Sequence, residues 1–159
     1  MAVSKLNFWK ESITNLFKKQ ICQDPLTICL NETLKRSNLP LNLFLKMIDG
    51  RIMQAETQNP KDISQLVLRA QETHIPLLLL NLNLMKIPVS DSPELLQTIE
   101  AVAAAMGILE SLKMIPYDLR NEMSRLPEDI AHKHTLKYNT IWNKHDGVPN
   151  EDLFDAVLE

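Results

Sequence analysis

The chain has 159 residues, which is enough for one domain with its own hydrophobic core. Hydrophobic residues make up 45% of it and charged residues 23%, values typical of a folded globular protein rather than a disordered one. The net charge of −3, with no basic run longer than Lys18-Lys19, argues against a nucleic-acid-binding surface. Three glycines and an aromatic content of 5% argue against a turn-rich β fold, and the richness in Leu, Ala, Lys, Glu, Gln and Met favours helix.

Five long helices are predicted in chain order from hydrophobic spacing and from helix-start signals. Asp24-Pro25 is typical of an N-cap followed by Pro at the first helical position, and Asp62 is a second N-cap. The predicted elements are a first helix over about 6–19, a second over about 25–37, a third from Pro40 through Ile52, a fourth from Asp62, a fifth from Ser92 to Pro116, short helices and loop over 126–149, and a last short helix over about 150–158.

The predicted fourth helix contains an internal proline and a segment whose pattern also fits a strand. Pro76 lies inside it and is expected to kink it or divide it in two. Residues 77–84 read LLLLNLNL, which also fits a strand at period two. Helix is preferred because Ile63, Leu66, Val67 and Ala70 are helix-spaced and nothing nearby offers a second strand. A helix that is rich in leucine on most faces should be central and buried.

Residues 101–127, AVAAAMGILESLKMIPYDLRNEMSRLP, carry the most informative pattern. Small residues at Ala101, Ala104, Ala105 and Gly107 predict a face on which another helix packs closely. The layout resembles the squalene/phytoene synthase family, in which a helix of the pattern Asn-Ile-Leu-Arg-Asp-x-x-x-Asp precedes a basic loop and Leu-Pro. In that family the two aspartates hold magnesium ions that bind a prenyl diphosphate.

The resemblance also implies that this metal site is broken. Counting back from Leu126-Pro127, the first aspartate of the family falls on Met114 and the second on Asp118. A thioether cannot ligate a hard cation that demands oxygen, so Met114 cannot replace an aspartate. No DxxxD or DDxxD spacing occurs anywhere in the chain, and Glu110, four residues before Met114, is interpreted as surface charge. We therefore predict no catalytic, cofactor-binding or metal-binding residue and no cofactor.

Scattered segments extend the resemblance over nearly the whole chain. Phe8-Trp9 and Ile48-Asp49-Gly50-Arg51 look like corresponding segments of the family. Residues 70–78 and the tail 151–157 are closer to the mitochondrial branch of the family, the respiratory complex I assembly factor 6 type. The first aspartate-rich motif of the enzymes lies upstream of the Phe-Trp segment, where this chain begins. The expectation is a single, partial domain over residues 1–159, truncated at the N-terminus.

The resemblance implies an all-α bundle related to the isoprenoid synthase fold and a non-catalytic factor that supports biogenesis of mitochondrial respiratory complex I. The implied location is the matrix side of the inner membrane, although no clear presequence is present. The implied partners are protein clients, such as complex I subunits or other assembly factors, and an isoprenoid-like lipid is a further candidate ligand. The alternative is a prenyltransferase of the squalene/phytoene synthase type that acts on isoprenyl diphosphates.

The remaining candidates have structural interpretations. His132, His134 and His145 could be imagined as zinc ligands but are interpreted as loop residues in solvent, and His74 as a hydrogen-bonded residue at the core edge. The residues Lys113, Arg120 and Arg125 are interpreted as solvated charges rather than a cationic patch, and Cys22 and Cys29 as reduced, partly buried thiols.

Two statements about burial complete the sequence analysis. The longest unbroken apolar run, residues 75–80, is far shorter than the ~18–20 residues that span a bilayer. Leu80 and Leu109 are expected in the bundle centre. Trp9, Ile13 and Phe17 are expected near an apolar seam, because the family packs another helix against this region.

Overall fold

A computed structural model describes residues 2–20, 24–57, 59–89, 92–120 and 125–133. These residues form helices and no strand, as the sequence predicts for an all-α fold. The helices are α1 (Ala2–Phe17), α2 (Pro25–Arg36), α3 (Leu41–Glu56), α4 (Ile63–Leu84), α5 (Pro93–Arg120) and the short α6 (Glu128–Lys133). Helix α4 packs against both α3 and α5, and α1 packs against α3. The predicted last helix, over 150–158, lies outside the described residues.

Two helix starts form as their local sequence predicts. The Asp24 carboxylate accepts hydrogen bonds from the backbone N–H groups of Leu26 and Thr27, and Pro25 occupies the first helical position. The Asp62 carboxylate accepts from the backbone N–H of Gln65, at 2.7 Å. Each carboxylate satisfies N–H groups that have no partner inside the helix, which is why these chemical signals can be read without tertiary information.

Both internal prolines are accommodated within helices. Helix α4 runs from Ile63 to Leu84 through the buried Pro76 without being divided, so the strand interpretation of residues 77–84 is wrong. Helix α5 runs past Pro116 to Arg120, so the prediction that Pro116 ends it is also wrong. A proline inside a helix costs about 3 kcal/mol. Packing of α4 and α5 against each other evidently exceeds that cost, which sequence propensity alone cannot show.

The core lies between α1, α3 and α4. Its buried members are Ile13, Leu39, Leu43, Phe44, Ile48 and Leu80. Leu80 is only 6% exposed, in agreement with its predicted central position, whereas Leu109 is 54% exposed and the prediction for it is wrong. Helix α5 is apolar on nearly every side around Leu109, so hydrophobic spacing does not identify the side that is buried.

The small residues of α5 show the same ambiguity. Ala103 is completely buried and Gly107 is buried, so these two positions form the face toward the interior. Ala101 and Ala105, which were predicted to share the packing face, are exposed. Close packing through small residues is therefore confirmed at Gly107, and the prediction is wrong for Ala101 and Ala105.

The prediction of an apolar seam on α1 is wrong for Ile13, whereas Trp9 and Phe17 are half-buried. Ile13 is buried in the core, and the half-buried Phe17 packs on Phe44 with ring centroids 6.0 Å apart. Large exposed apolar side chains occur on α1, at Phe8, on α5, at Val102 and Leu109, and around the connection between α4 and α5.

Helix α5 also changes the expectation about membrane-spanning length. Within the described residues, Pro93–Ile115 is one 23-residue stretch long and apolar enough to cross a bilayer by length and composition, although the sequence contains no comparable uninterrupted apolar run. Core helices of soluble proteins satisfy the same criterion, and 22% of this stretch is buried. The criterion alone does not make α5 a membrane span.

Candidate functional site

A polar cavity of about 280 Å³ lies between α3, α4 and α5. Its walls carry three arginines, one histidine and one glutamate together with uncharged polar and small residues. The residues that line it are Arg51, Gln54, Ala55, Thr57, Asn59, Pro60, Leu66, Arg69, Ala70, His74, Gly107, Glu110, Ser111 and Arg125. Within the described part of the chain, we take this cavity as the candidate site because charged and polar side chains from three helices meet there.

An ion pair between α3 and α5 crosses this cavity. The Nη2 atom of Arg51 donates to both carboxylate oxygens of Glu110, at 3.3 Å to Oε1 and 3.1 Å to Oε2. The Nη1 atom of Arg51 donates to Gln54 Oε1 at 3.1 Å. Both partners of the ion pair are about 40% exposed, so solvent screens it and its contribution to stability is at most about 1 kcal/mol.

His74 joins the same carboxylate from α4. Its Nε2 atom lies 3.4 Å from Glu110 Oε2, and its Nδ1 atom lies 2.9 Å from the Ala70 carbonyl oxygen and 3.0 Å from Thr73 Oγ1. A neutral imidazole has one N–H, so it can donate to the Ala70 carbonyl or to Glu110, and only the imidazolium donates to both. The ring is almost fully buried, which confirms the interpretation of His74 as a hydrogen-bonded residue at the core edge.

Glycines allow the three helices to approach closely enough to form the cluster. A Cβ atom built on Gly107 would lie 2.1 Å from Ala70 Cβ, so α4 and α5 could not stay this close with alanine there. A Cβ atom on Gly50 would lie 2.9 Å from Thr73 Cγ2 and 3.2 Å from the Glu72 carbonyl oxygen. The short separation of these helices brings His74 and Glu110 within reach of each other.

Residues 125–129, which follow α5, border the cavity. Pro127 is fully buried, and the backbone N–H groups of Glu128 and Asp129 donate to the carbonyl oxygens of Pro60 and Lys61, at 2.9 and 3.1 Å. These bonds attach the start of α6 to the connection between α3 and α4. Arg125, just before this attachment, is thereby placed at the cavity.

Asp118, which the resemblance predicts at the second aspartate position of the family's metal-binding helix, is 3% exposed. Its Oδ2 atom lies 3.3 Å from Arg125 Nε, and no described group makes a well-aligned hydrogen bond to either of its oxygens. Burial raises the pKa of the Asp118 carboxyl above its usual range, and the nearby Arg125 charge acts in the opposite direction. The Asp118 carboxylate therefore lies next to the Arg125 guanidinium and is almost fully shielded from solvent.

The predicted correspondence places the family's two aspartates at Met114 and Asp118, and of these only Asp118 carries a carboxyl group. Met114 is half-buried on α5. Among the described residues, no group of three or more His, Cys, Asp or Glu side chains could hold a metal ion. Glu110, interpreted from the sequence as surface charge, is instead engaged by Arg51 and His74.

The other sequence candidates do not assemble into a site. Lys113 is exposed on α5, while Arg125 pairs with Asp118; the side chain of Arg120 lies outside the described part. His132 is exposed, and His134 and His145 lie outside the described residues. Cys29 is exposed rather than partly buried, because it lies on the outer side of α2, and Cys22 is not among the described residues.

Sequence reasoning missed the partnership of Arg51, His74 and Glu110. These residues are separated by 23 and 36 positions and lie on three different helices. The only available signal was the pair of glycines, Gly50 and Gly107, that permit close helix contacts. Chemically, the cluster is a network of ion pairs and hydrogen bonds whose carboxylate is already bound, so it supports binding and positioning rather than coordination of a hard cation.

Comparison with known proteins agrees with the resemblance in the sequence. The chain matches the squalene/phytoene synthase family over residues 1–159. It is 23% identical over 98% of its length to "NADH dehydrogenase (ubiquinone) complex I, assembly factor 6 homolog" of Dictyostelium discoideum. It is 25% identical to the protein named "NADH dehydrogenase (ubiquinone) complex I, assembly factor 6" in Homo sapiens, over its whole length, and in Bos taurus, over 91% of it.

These relatives are much longer proteins. The chain covers 42% of the Dictyostelium and Bos taurus relatives and 46% of the Homo sapiens relative. The family is one with an all-helical, isoprenoid-synthase-like fold, and the helices described above agree with it. Because the family match extends over every residue, the chain belongs to the squalene/phytoene synthase family.

Proposed function

We propose that this protein is a non-catalytic factor that supports the assembly of mitochondrial respiratory complex I. The names of the relatives support the assembly role, since they are complex I assembly factors. The observation that carries the non-catalytic part is the state of the metal-binding helix. Met114 occupies one ligand position, and the Asp118 carboxylate at the other is buried against Arg125.

The charge chemistry supports the loss of prenyl transfer. Ionisation of a prenyl diphosphate requires divalent ions that neutralise the leaving group, and such ions need several oxygen ligands facing one another. Glu110, the one carboxylate on the cavity wall, makes contacts with two basic side chains. An ion would have to displace both the Arg51 guanidinium and His74 from this carboxylate before binding to it.

The finer parts of the proposal concern place and partners. We place the protein at the matrix side of the inner membrane, as a peripheral protein whose clients are complex I subunits or other assembly factors. An isoprenoid-like lipid is a further candidate ligand. We also treat residues 1–159 as a single domain that corresponds to part of the longer relatives.

A genetic experiment tests the assembly role in the organism of origin. Removing the protein should lower the amount of assembled complex I on native gels and leave the other respiratory complexes unchanged. Re-expression of the natural protein should restore complex I. Asp118→Asn should restore it equally well, because the proposal requires no ion at Asp118. Unchanged complex I after removal would contradict the assembly role.

A biochemical experiment tests the non-catalytic part separately. The purified protein, incubated with farnesyl or geranylgeranyl diphosphate and magnesium, should form no squalene- or phytoene-like product above a heat-inactivated control. Steady product formation would show that the protein is a prenyltransferase and would overturn the non-catalytic assignment. It would do so whatever the genetic experiment shows about complex I.

A further inference from the structure

The connection between α4 and α5 exposes a short run of apolar residues. Leu84 is 44% exposed, Met85 61% and Ile87 42%, and both Lys86 and Pro88 are also exposed. We call residues 84–88 the apolar tip. Large apolar side chains that are exposed singly are ordinary on protein surfaces, but a cluster within five consecutive residues calls for a reason.

Backbone hydrogen bonds hold the apolar tip in a defined turn. The N–H groups of Met85, Lys86 and Ile87 donate to the carbonyl oxygens of Asn81, Asn83 and Leu82, each at 3.0 Å. Lys86 has φ of 58°, the left-handed conformation that glycine usually supplies after a helix. The exposed side chains therefore project from a fixed turn, and the residue in the left-handed position contributes a positive charge.

The apolar tip carries one positive charge of its own, at Lys86. Lys86 is the only Asp, Glu, Lys or Arg between Glu72 and Asp91. A shallow surface groove next to the tip is lined by Leu84 together with Arg36 of α2. Glu32 also lines this groove, but its carboxylate lies 2.6 Å from Lys35 Nζ. The charge that Glu32 brings is therefore balanced by Lys35, so Arg36 adds a cation on the groove side of the tip, whereas the exposed Glu94 at the start of α5 carries a negative charge.

We propose that the apolar tip is a docking surface for an anionic lipid bilayer. Leu84, Met85 and Ile87 enter the boundary between headgroups and acyl chains, which lies about 5–10 Å deep. Lys86 and Arg36 remain at the level of the anionic headgroups and are attracted to them. The exposed Leu96, in the first turns of α5, lies near the same end of that helix and adds apolar surface.

The size of the tip favours a bilayer over a protein partner. A specific protein interface usually buries about 800 Å² on each partner, which a turn of five residues cannot supply. A bilayer has no fixed shape to match and accepts a few apolar side chains with neighbouring cations. This inference deepens the peripheral membrane location proposed above, but vesicle binding does not depend on the assembly role.

Co-sedimentation of the whole protein with lipid vesicles tests the docking surface. The protein should sediment with vesicles of phosphatidylcholine and phosphatidylglycerol and much less with phosphatidylcholine alone. The double variant Met85→Ser/Ile87→Ser should bind the anionic vesicles roughly tenfold more weakly or worse, because two inserted apolar side chains are lost. Lys86→Gln should weaken binding less and reduce its dependence on salt concentration.

A matched control removes the same number of exposed apolar side chains elsewhere. Leu26→Ser/Ile28→Ser changes two residues of α2 that are 60% and 51% exposed and should leave vesicle binding unchanged. Circular dichroism should show that both double variants keep the helical content of the natural protein. The comparison then separates an effect of the tip from a general loss of surface hydrophobicity.

Several outcomes would overturn the proposal. Absence of binding to either vesicle type would do so, and so would undiminished binding by the tip variant. Loss of self-association in the tip variant, without any vesicle binding by the natural protein, would identify the tip as a protein contact. Vesicle binding by the tip with normal complex I after removal of the protein would leave the docking surface intact and contradict only the assembly role.

Discussion

The cavity and the apolar tip are both built on α4 and α5, yet their chemistry is opposite. At the cavity, Gly107 lets α5 approach Ala70, and the polar groups of Arg51, His74 and Glu110 contact one another. At the tip, the chain turns from one helix to the next and leaves apolar side chains in solvent. Close packing pairs polar groups within the protein, whereas the apolar side chains of the tip are left exposed by the residues that the structure describes.

The largest expected effect is on stability, and it compares a leucine in the core with a leucine on the surface. Leu80→Ala should lower the free energy of unfolding by about 2–5 kcal/mol, since it leaves a cavity among Ile13, Phe44 and the rest of the core. Leu109→Ala, which removes the same atoms from an exposed site on α5, should change it by less than about 0.5 kcal/mol. Urea denaturation of both variants measures the difference. Equal losses would mean that Leu109 is covered in solution, for instance by another copy of the chain.

The second effect tests the close contact beneath the cavity. Gly107→Ala places a methyl group against Ala70 and should destabilise the protein by about 1–3 kcal/mol, even though alanine is the better helix former by about 1 kcal/mol. Ala70→Gly in the same chain should recover part of that loss, because it removes the atom that the new methyl group meets. A double-mutant cycle from denaturation curves gives the coupling of the two sites. A stabilised Gly107→Ala protein would show that α4 and α5 can separate at no cost.

How much the sequence predicted depended on the range of the interactions. Asp24 and Asp62 were read correctly because a cap acts within three residues. The fates of Leu80 and Leu109 differ because α4 and α5 are both rich in apolar residues, and only tertiary packing decides which side of each faces the core. The strand alternative for residues 77–84 was wrong for a related reason. A helix with apolar residues on most sides can also show apolar residues at every second position, so this pattern does not distinguish a helix from a strand.

The candidate site was less predictable than the fold. Resemblance to the family placed its two aspartates at Met114 and Asp118, which stays a prediction, and it could not show that Asp118 is buried against Arg125. The Arg51, His74 and Glu110 cluster depends on three helices meeting, and no local pattern encodes that meeting. Conversely, the predicted seam was wrong at Ile13 because α3 supplies the apolar partners that the sequence analysis expected from another helix.

The smallest expected effect is on the pH dependence of stability. It tests the buried carboxyl group of Asp118, which is predicted at an aspartate position of the family's metal-binding helix. Burial raises the pKa of Asp118 in the folded protein, so the folded state holds that proton more tightly than the unfolded chain does. The contribution of Asp118 to stability is therefore complete below the ordinary pKa of a carboxyl group and is lost as the pH rises through the raised value. Asp118→Asn abolishes this loss, so the variant should gain stability relative to the natural protein between about pH 4 and about pH 7.

Arg125 provides the control for this last prediction. Its guanidinium lowers the pKa of Asp118 and so limits the destabilisation that the charged carboxylate causes at neutral pH. Arg125→Gln should make stability fall more steeply with rising pH, and adding Asp118→Asn to that variant should remove the extra slope. Urea denaturation over the same pH range measures the natural protein and all three variants. Identical pH profiles for the natural protein and Asp118→Asn would mean that solvent or a bound cation reaches Asp118.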